Sequence, residues 1–90
     1  MRLIWRAKAR ADYRRIIDHI SDRNPAGAEK IAQLIADAIE RMLRFPYFYR
    51  PGRVPGTREA VVHPNYIVVY EVGEDFIRIL AVLHARQRYP

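Results

Sequence analysis

Apolar residues recur along this chain with two different periods, and the change from one to the other organises it. From about Ala7 to Asp22, Tyr13, Ile16, Ile17 and Ile20 return at three- and four-residue steps, with Arg10, Arg14, Arg15 and Asp18 between them. That spacing predicts a surface helix with one buried stripe. Asn24-Pro25 then offers a side-chain acceptor for the next turn and a proline that loses nothing at a first helical position. A second helix is expected from there to Phe45-Pro46. It has Ala28, Ile31, Ile35, Ala38, Ile39 and Met42 on one face and Glu29, Lys30, Asp37 and Arg41 on the other. So short a link makes the two helices antiparallel.

Before the helices, Arg2 to Arg6 sets Leu3 and Trp5 against Ile4, the alternation of a short strand. After them, Tyr47 to Thr57 is dense in aromatics, Pro, Gly and Arg, with turns expected at Pro51-Gly52 and Pro55-Gly56. Tyr47, Phe48 and Tyr49, beside Arg50 and Arg53, have two roles open to them, stacking on nucleic-acid bases or, as the commoner case, closing the core beneath this loop, and the second is expected. The period then becomes two. Strands are expected over Glu59 to His63, Tyr66 to Val72 and Phe76 to about Arg86, joined by His63-Pro64-Asn65 and Val72-Gly73-Glu74-Asp75. The predicted fold is α+β in a single domain over 1–90: an N-terminal strand, an antiparallel two-helix hairpin, then a three-stranded antiparallel β-meander.

Strict alternation in the last strand places Ile77, Ile79, Ala81 and Leu83 on the face packed against the helices. Phe76, Arg78, Leu80, Val82, His84, Arg86 and Arg88 then share the opposite face. That second face mixes apolar side chains with cations, as a surface does when something else lies on it. Either a partner or another segment of this chain is expected to cover Leu80 and Val82.

Size and charge refine this picture. Ordering 90 residues costs about 1.5 kcal/mol each, which roughly cancels the gain from hydrophobic burial. A partner that covers apolar surface would therefore add stability by mass action. With no cysteine, disulfides and thiolate metal sites are excluded. His19, His63 and His84 are too scattered to suggest zinc, and no metal or cofactor is expected. The first residues lack the apolar stretch of a signal peptide, and no run approaches membrane-spanning length, so a cytoplasmic location and no membrane partner are expected. The net charge of +6 favours polyanions or acidic proteins. It is carried almost wholly by arginines spread from Arg2 to Arg88, with Lys8 and Lys30 the only lysines, so there is no basic tail.

No Gly-rich phosphate loop, nucleophile elbow or helical metal pair occurs. Catalysis would need dispersed groups. Cleaving RNA through its own 2′-hydroxyl requires a base, an acid and cations, which Glu59, His84, Tyr89 and the arginines Arg58, Arg78 and Arg86 would supply if they converged. Each also has a structural role open to it: an arginine partner for Glu59, a sheet-face ion pair for Arg78, and packing for Tyr89.

Taken together, these segments resemble the RelE/ParE toxin superfamily, specifically its ParE-like branch. The resemblance runs through Trp5, Ala9, Asp12 and Tyr13; Asn24-Pro25; Phe45-Pro46; Gly52-Arg53; and Gly56-Thr57-Arg58-Glu59. It continues through Tyr66 to Tyr70 and the ending from Ile79 to Pro90, where Val82-Leu83-His84-Ala85-Arg86-Gln87 is most specific. The resemblance implies a type II toxin held inactive by a ParD-like antitoxin in a hetero-oligomeric complex. On that basis Arg58, Arg78, Leu80 and Val82 are expected to meet the antitoxin, and His84, Arg86, Arg88 and Tyr89 the target. ParE-like toxins are associated with DNA gyrase, which they poison without known chemistry of their own. RelE-like relatives instead cut mRNA on the ribosome, and that alternative requires Glu59, Arg78, His84 and Tyr89 to act on one phosphate.

Overall fold

The computed structural model describes residues 1–90. Strand β1 (Arg2–Trp5) leads into helices α1 (Ala7–Ser21) and α2 (Pro25–Arg44), followed by β2 (Arg50–Pro51), β3 (Thr57–His63), β4 (Tyr66–Val72) and β5 (Phe76–His84). Both helices begin and end within a residue or two of where the apolar period places them. The Asn24 side chain accepts the Gly27 N–H at 2.9 Å and Pro25 occupies the first turn of α2, which satisfies one of the donors a helix start leaves free. All six residues of the predicted α2 stripe are buried.

The sheet is larger than a meander. Its order is β1-β5-β4-β3-β2, with β3, β4 and β5 antiparallel as expected and β1 added in parallel beside β5. The two helices supply the crossover that a parallel pairing needs. Strand β2 arises inside the segment expected to be loop, where Arg50 and Pro51 pair with Glu59 and Arg58. A two-residue strand carries no readable alternation.

One irregularity rearranges the faces of β5. Tyr70 pairs with Ile79 but Val69 pairs with Ala81, so Leu80 is an extra residue in the ladder. Such a bulge inverts the sidedness of the residues after it. Ile77 and Ile79 face the helices as alternation predicts, but Val82 joins them in the core with Ile31, Ile35, Met42, Val68 and Tyr70. Leu80, Ala81 and Leu83 gather on the opposite face with Ile67 and Val69. The expected placement of Ala81 and Leu83 against the helices, and of Val82 with Leu80 on the other side, is therefore corrected. The strand also stops at His84, so Arg86 and Arg88 lie in the turn and segment beyond it, outside any strand parity.

The bulge falls where β5 loses a neighbour. The chain leaves β1 with the Arg6 N–H donating to the Ile79 carbonyl at 3.0 Å and then enters α1. Further along this edge, the Val82 N–H donates to the Asp12 carboxylate of α1 at 3.1 Å. Lys8 and Arg15 hold that carboxylate from either side, at 2.9 and 3.3 Å. Asp12 is thus buried as the acceptor that a missing strand would have supplied.

Candidate functional site

The sheet face turned away from the helices carries the groups expected to do chemistry or binding. Residues 85–90 cross it, so that Ala85 and Tyr89 pack on the cluster of Ile67, Val69, Leu80, Ala81 and Leu83. The Arg53 guanidinium donates to the Tyr89 carbonyl at 3.3 Å and ties the segment down. The mixed face is therefore covered by this chain itself, and Tyr89 packs there.

Glu59 lies on this face beside Val69, yet only 3% of it is exposed. Arg50 donates to its carboxylate at 2.9 Å, and Arg53 approaches through its backbone N–H at 3.2 Å and its Nε at 3.5 Å. A carboxylate so engaged is a structural anchor: it fastens the turn after β2 to β3. Arg58, its neighbour in sequence, points the other way and donates to the carbonyls of Tyr47 and Tyr49, at 3.3 and 2.7 Å. Arg58, expected from the resemblance to meet the antitoxin together with Arg78 and Leu80, lies on the other face of the sheet from them and holds the loop after α2. Arg78 pairs with Glu71 across the sheet and lies over the Phe76 ring at 4.7 Å.

His84 is on the helix side. Its ring meets the Tyr66 ring at 5.5 Å, and His63 lies against the same tyrosine at 5.9 Å. A shared cleft with Arg15, Ile16 and His19 of α1 fits the same orientation. The set Glu59, Arg78, His84 and Tyr89 therefore does not assemble: His84 is separated from the others by the thickness of the sheet. Arg86 and Arg88 are exposed near it in sequence. No group of three or more His, Cys, Asp or Glu residues converges as a metal site.

The loop from Phe45 to Tyr49 divides differently from expectation. Tyr49 packs on Tyr70, with ring centroids 6.3 Å apart. Tyr47 and Phe48, expected to close the core, are 67% and 63% exposed, and Phe45 is 60% exposed. Arg58 and Arg41 lie over the Tyr47 and Phe48 rings at 4.8 and 5.3 Å. Beneath them the Tyr70 hydroxyl donates to the Pro46 carbonyl at 2.7 Å. Burial pushes the Tyr70 phenol up to about 12, with nearby Arg58 opposing the shift.

Residue typing alone does not find Asp12, Arg50 or Arg53 as partners. Each acts on a group brought near only by the sheet. The Pro-Gly turns before Thr57 are the one local signal, since they return Arg50 and Arg53 toward Glu59.

The five-stranded sheet, the paired helices on one face and the covered opposite face define a small α+β domain of the RelE/ParE kind. Residues 3–89 match the family described as the ParE toxin of the type II toxin–antitoxin system parDE, and the chain belongs to that family. Over 90 residues it is 32% identical to the Sinorhizobium fredii protein Y4kP, covering 99% of this chain and 93% of that one. Toxin RelE2 of Caulobacter vibrioides is 29% identical over 85 residues, covering 92% of this chain and 93% of its own. A solved chain from the chromosomal ParDE system of P. aeruginosa superposes with a TM-score of 0.80 at 28% identity, covering 93% of this chain and 95% of that one. The protein is thus a type II toxin–antitoxin toxin of the ParE family.

Proposed function

We propose that this toxin is neutralised by a ParD-like antitoxin and acts in the cytoplasm by inhibiting DNA gyrase through binding, without catalysis of its own. The observation that carries this reading is the failure of the ribonuclease set to meet. Glu59 is sealed by Arg50 and Arg53 on one side of the sheet, while the His84 ring lies against Tyr66 on the other. One phosphate cannot be served from both sides, because general acid–base catalysis needs its groups within hydrogen-bond reach of the same reacting centre.

The antitoxin reading draws on family membership and on charge. A net charge of +6 suits an acidic partner and speeds encounter with it. Arg78, Leu80 and the segment over them form the surface we assign to the antitoxin. Val82, buried in the helix-facing core, has no part in it, and Arg58 contributes only through the aromatic loop. His84, Arg86, Arg88 and Tyr89, at and beyond the end of β5, remain the assigned target contacts.

The test is a side-by-side assay of purified toxin on gyrase supercoiling and on ribosomal mRNA cleavage. Inhibited supercoiling or trapped cleavage complexes, relieved by antitoxin, is the expected result. No effect on gyrase at toxin excess overturns the target assignment, and mRNA cleavage that survives Glu59→Gln would require a different catalytic set.

A further inference from the structure

A cleft of about 300 Å³ opens between α1 and the far end of the sheet, lined by Arg15, Ile16, His19, Tyr66, His84 and Gln87. None of these is acidic. The carboxylate in contact with the lining is Asp12, which bonds Arg15 at 3.3 Å and is already occupied by Lys8 and the Val82 N–H.

The turn after β5 sets the polarity of the cleft. His84 and Gln87 each carry both a donor and an acceptor, and in both the acceptor is taken by backbone. The Arg86 N–H donates to His84 Nδ1 at 3.1 Å, and the His84 N–H donates to Gln87 Oε1 at 3.4 Å. Nε2 is therefore the nitrogen of neutral His84 that carries hydrogen. The Gln87 amide likewise retains its N–H₂ as the free end. Arg15 spends one nitrogen on Asp12 and keeps the rest of its fork, while the Tyr66 hydroxyl adds a further donor. The Arg23 guanidinium, 2.8 Å from His19 Nε2, adds positive charge at the rim. Ile16 and the Tyr66 ring supply an apolar wall.

A concave site rich in donors, in which the His84 and Gln87 acceptors are bound by backbone and the charge is positive, suits an oxyanion. We propose that this cleft binds the phosphate of a small phosphate monoester, with Arg15 as the charged contact, His84 Nε2 and the Gln87 amide as directional donors, and Tyr66 and Ile16 against the ester group. The cleft is on the helix side, away from Arg78 and Leu80, so the proposal is independent of the antitoxin assignment; it shares His84 with the target contacts, and its test reads binding to the toxin alone.

The experiment is an NMR titration of the intact toxin with inorganic phosphate, with a nucleoside 5′-monophosphate and with a single-stranded oligonucleotide lacking terminal phosphate, at constant ionic strength against chloride. Saturable shifts at Arg15, His19, Tyr66, His84 and Gln87, at about 1 mM or below for the monophosphate and at higher concentration for free phosphate, are expected. Gln87→Glu is the decisive variant. It keeps the acceptor for the His84 N–H but replaces the donor with a negative charge, so binding should weaken at least about tenfold, whereas Lys30→Gln, an equal one-unit drop in net charge placed on α2, should leave it unchanged. Absence of saturable shifts at about 10 mM phosphate, equal weakening by both variants, or tighter binding of the unphosphorylated-end oligonucleotide at these residues would each overturn the proposal.

Discussion

The Asp12 carboxylate, on the first helix, accepts the backbone N–H of Val82 at 3.1 Å, across 70 residues of chain. It closes the edge of β5 where β1 ends, and it does so while neutralised by Lys8 and Arg15. Asp12→Ala leaves a buried N–H without a partner and two cations without a counterion. A loss of about 2–3 kcal/mol is expected in urea unfolding. Asp12→Asn keeps an acceptor and should lose less.

Glu59 provides a second test of structure against chemistry. Glu59→Ala strips Arg50 and Arg53 of a shared, buried anion. Stability should fall by about 3 kcal/mol, with proteolysis enhanced in residues 50–57. At a temperature where the variant remains folded, the proposed inhibition of gyrase should be no weaker than the parent's.

Alkaline titration should report on Tyr70. Its phenol titrates at about 12 in the fold against an ordinary 10.0, so the folded state favours the neutral form. Stability from this group is fully present below pH 10 and falls as pH rises toward about 12, by at most about 1.4 kcal/mol per pH unit. Tyr70→Phe should flatten that slope, while costing about 1 kcal/mol at neutral pH for the lost bond to Pro46.

Residues 85–90 shield Leu80 and Leu83. Tyr89→Ser should raise binding of a hydrophobic dye and lower the unfolding midpoint by roughly 1–2 kcal/mol equivalent. If the antitoxin uses this face, the variant should bind it at least as fast as the parent, measured by surface-captured kinetics.

Much of the fold is legible in the sequence, for local reasons. The α2 stripe from Ala28 to Met42 and its Asn24-Pro25 start are set by neighbours within one turn, and all six apolar positions are buried. The three antiparallel strands come from short turns between β-branched runs. The features that escape a reading of the sequence are non-local. The pairing of β1 with β5 joins residues about seventy positions apart. The bulge at Leu80 is invisible because Leu80 and Ala81 are both apolar, so no polar residue marks the break in alternation. Asp12 reads as an exposed helix carboxylate until the edge it serves is known. The candidate site depends most on parity: the inversion moves Val82 into the core and His84 to the helix side, while Arg58 is drawn to the loop carbonyls.

The extra residue at Leu80 also makes the pairing of β5 a constraint separate from its composition. Were the ladder regular through Leu80 with every residue kept, Val82 and His84 would fall in phase with Arg78 and Leu83 would turn to the helices. The donor-lined cleft would vanish with no change to any residue that lines it. The cleft is therefore set by how β5 pairs with β4, and deletion of Leu80 alone should leave Val82 and His84 on the helix side.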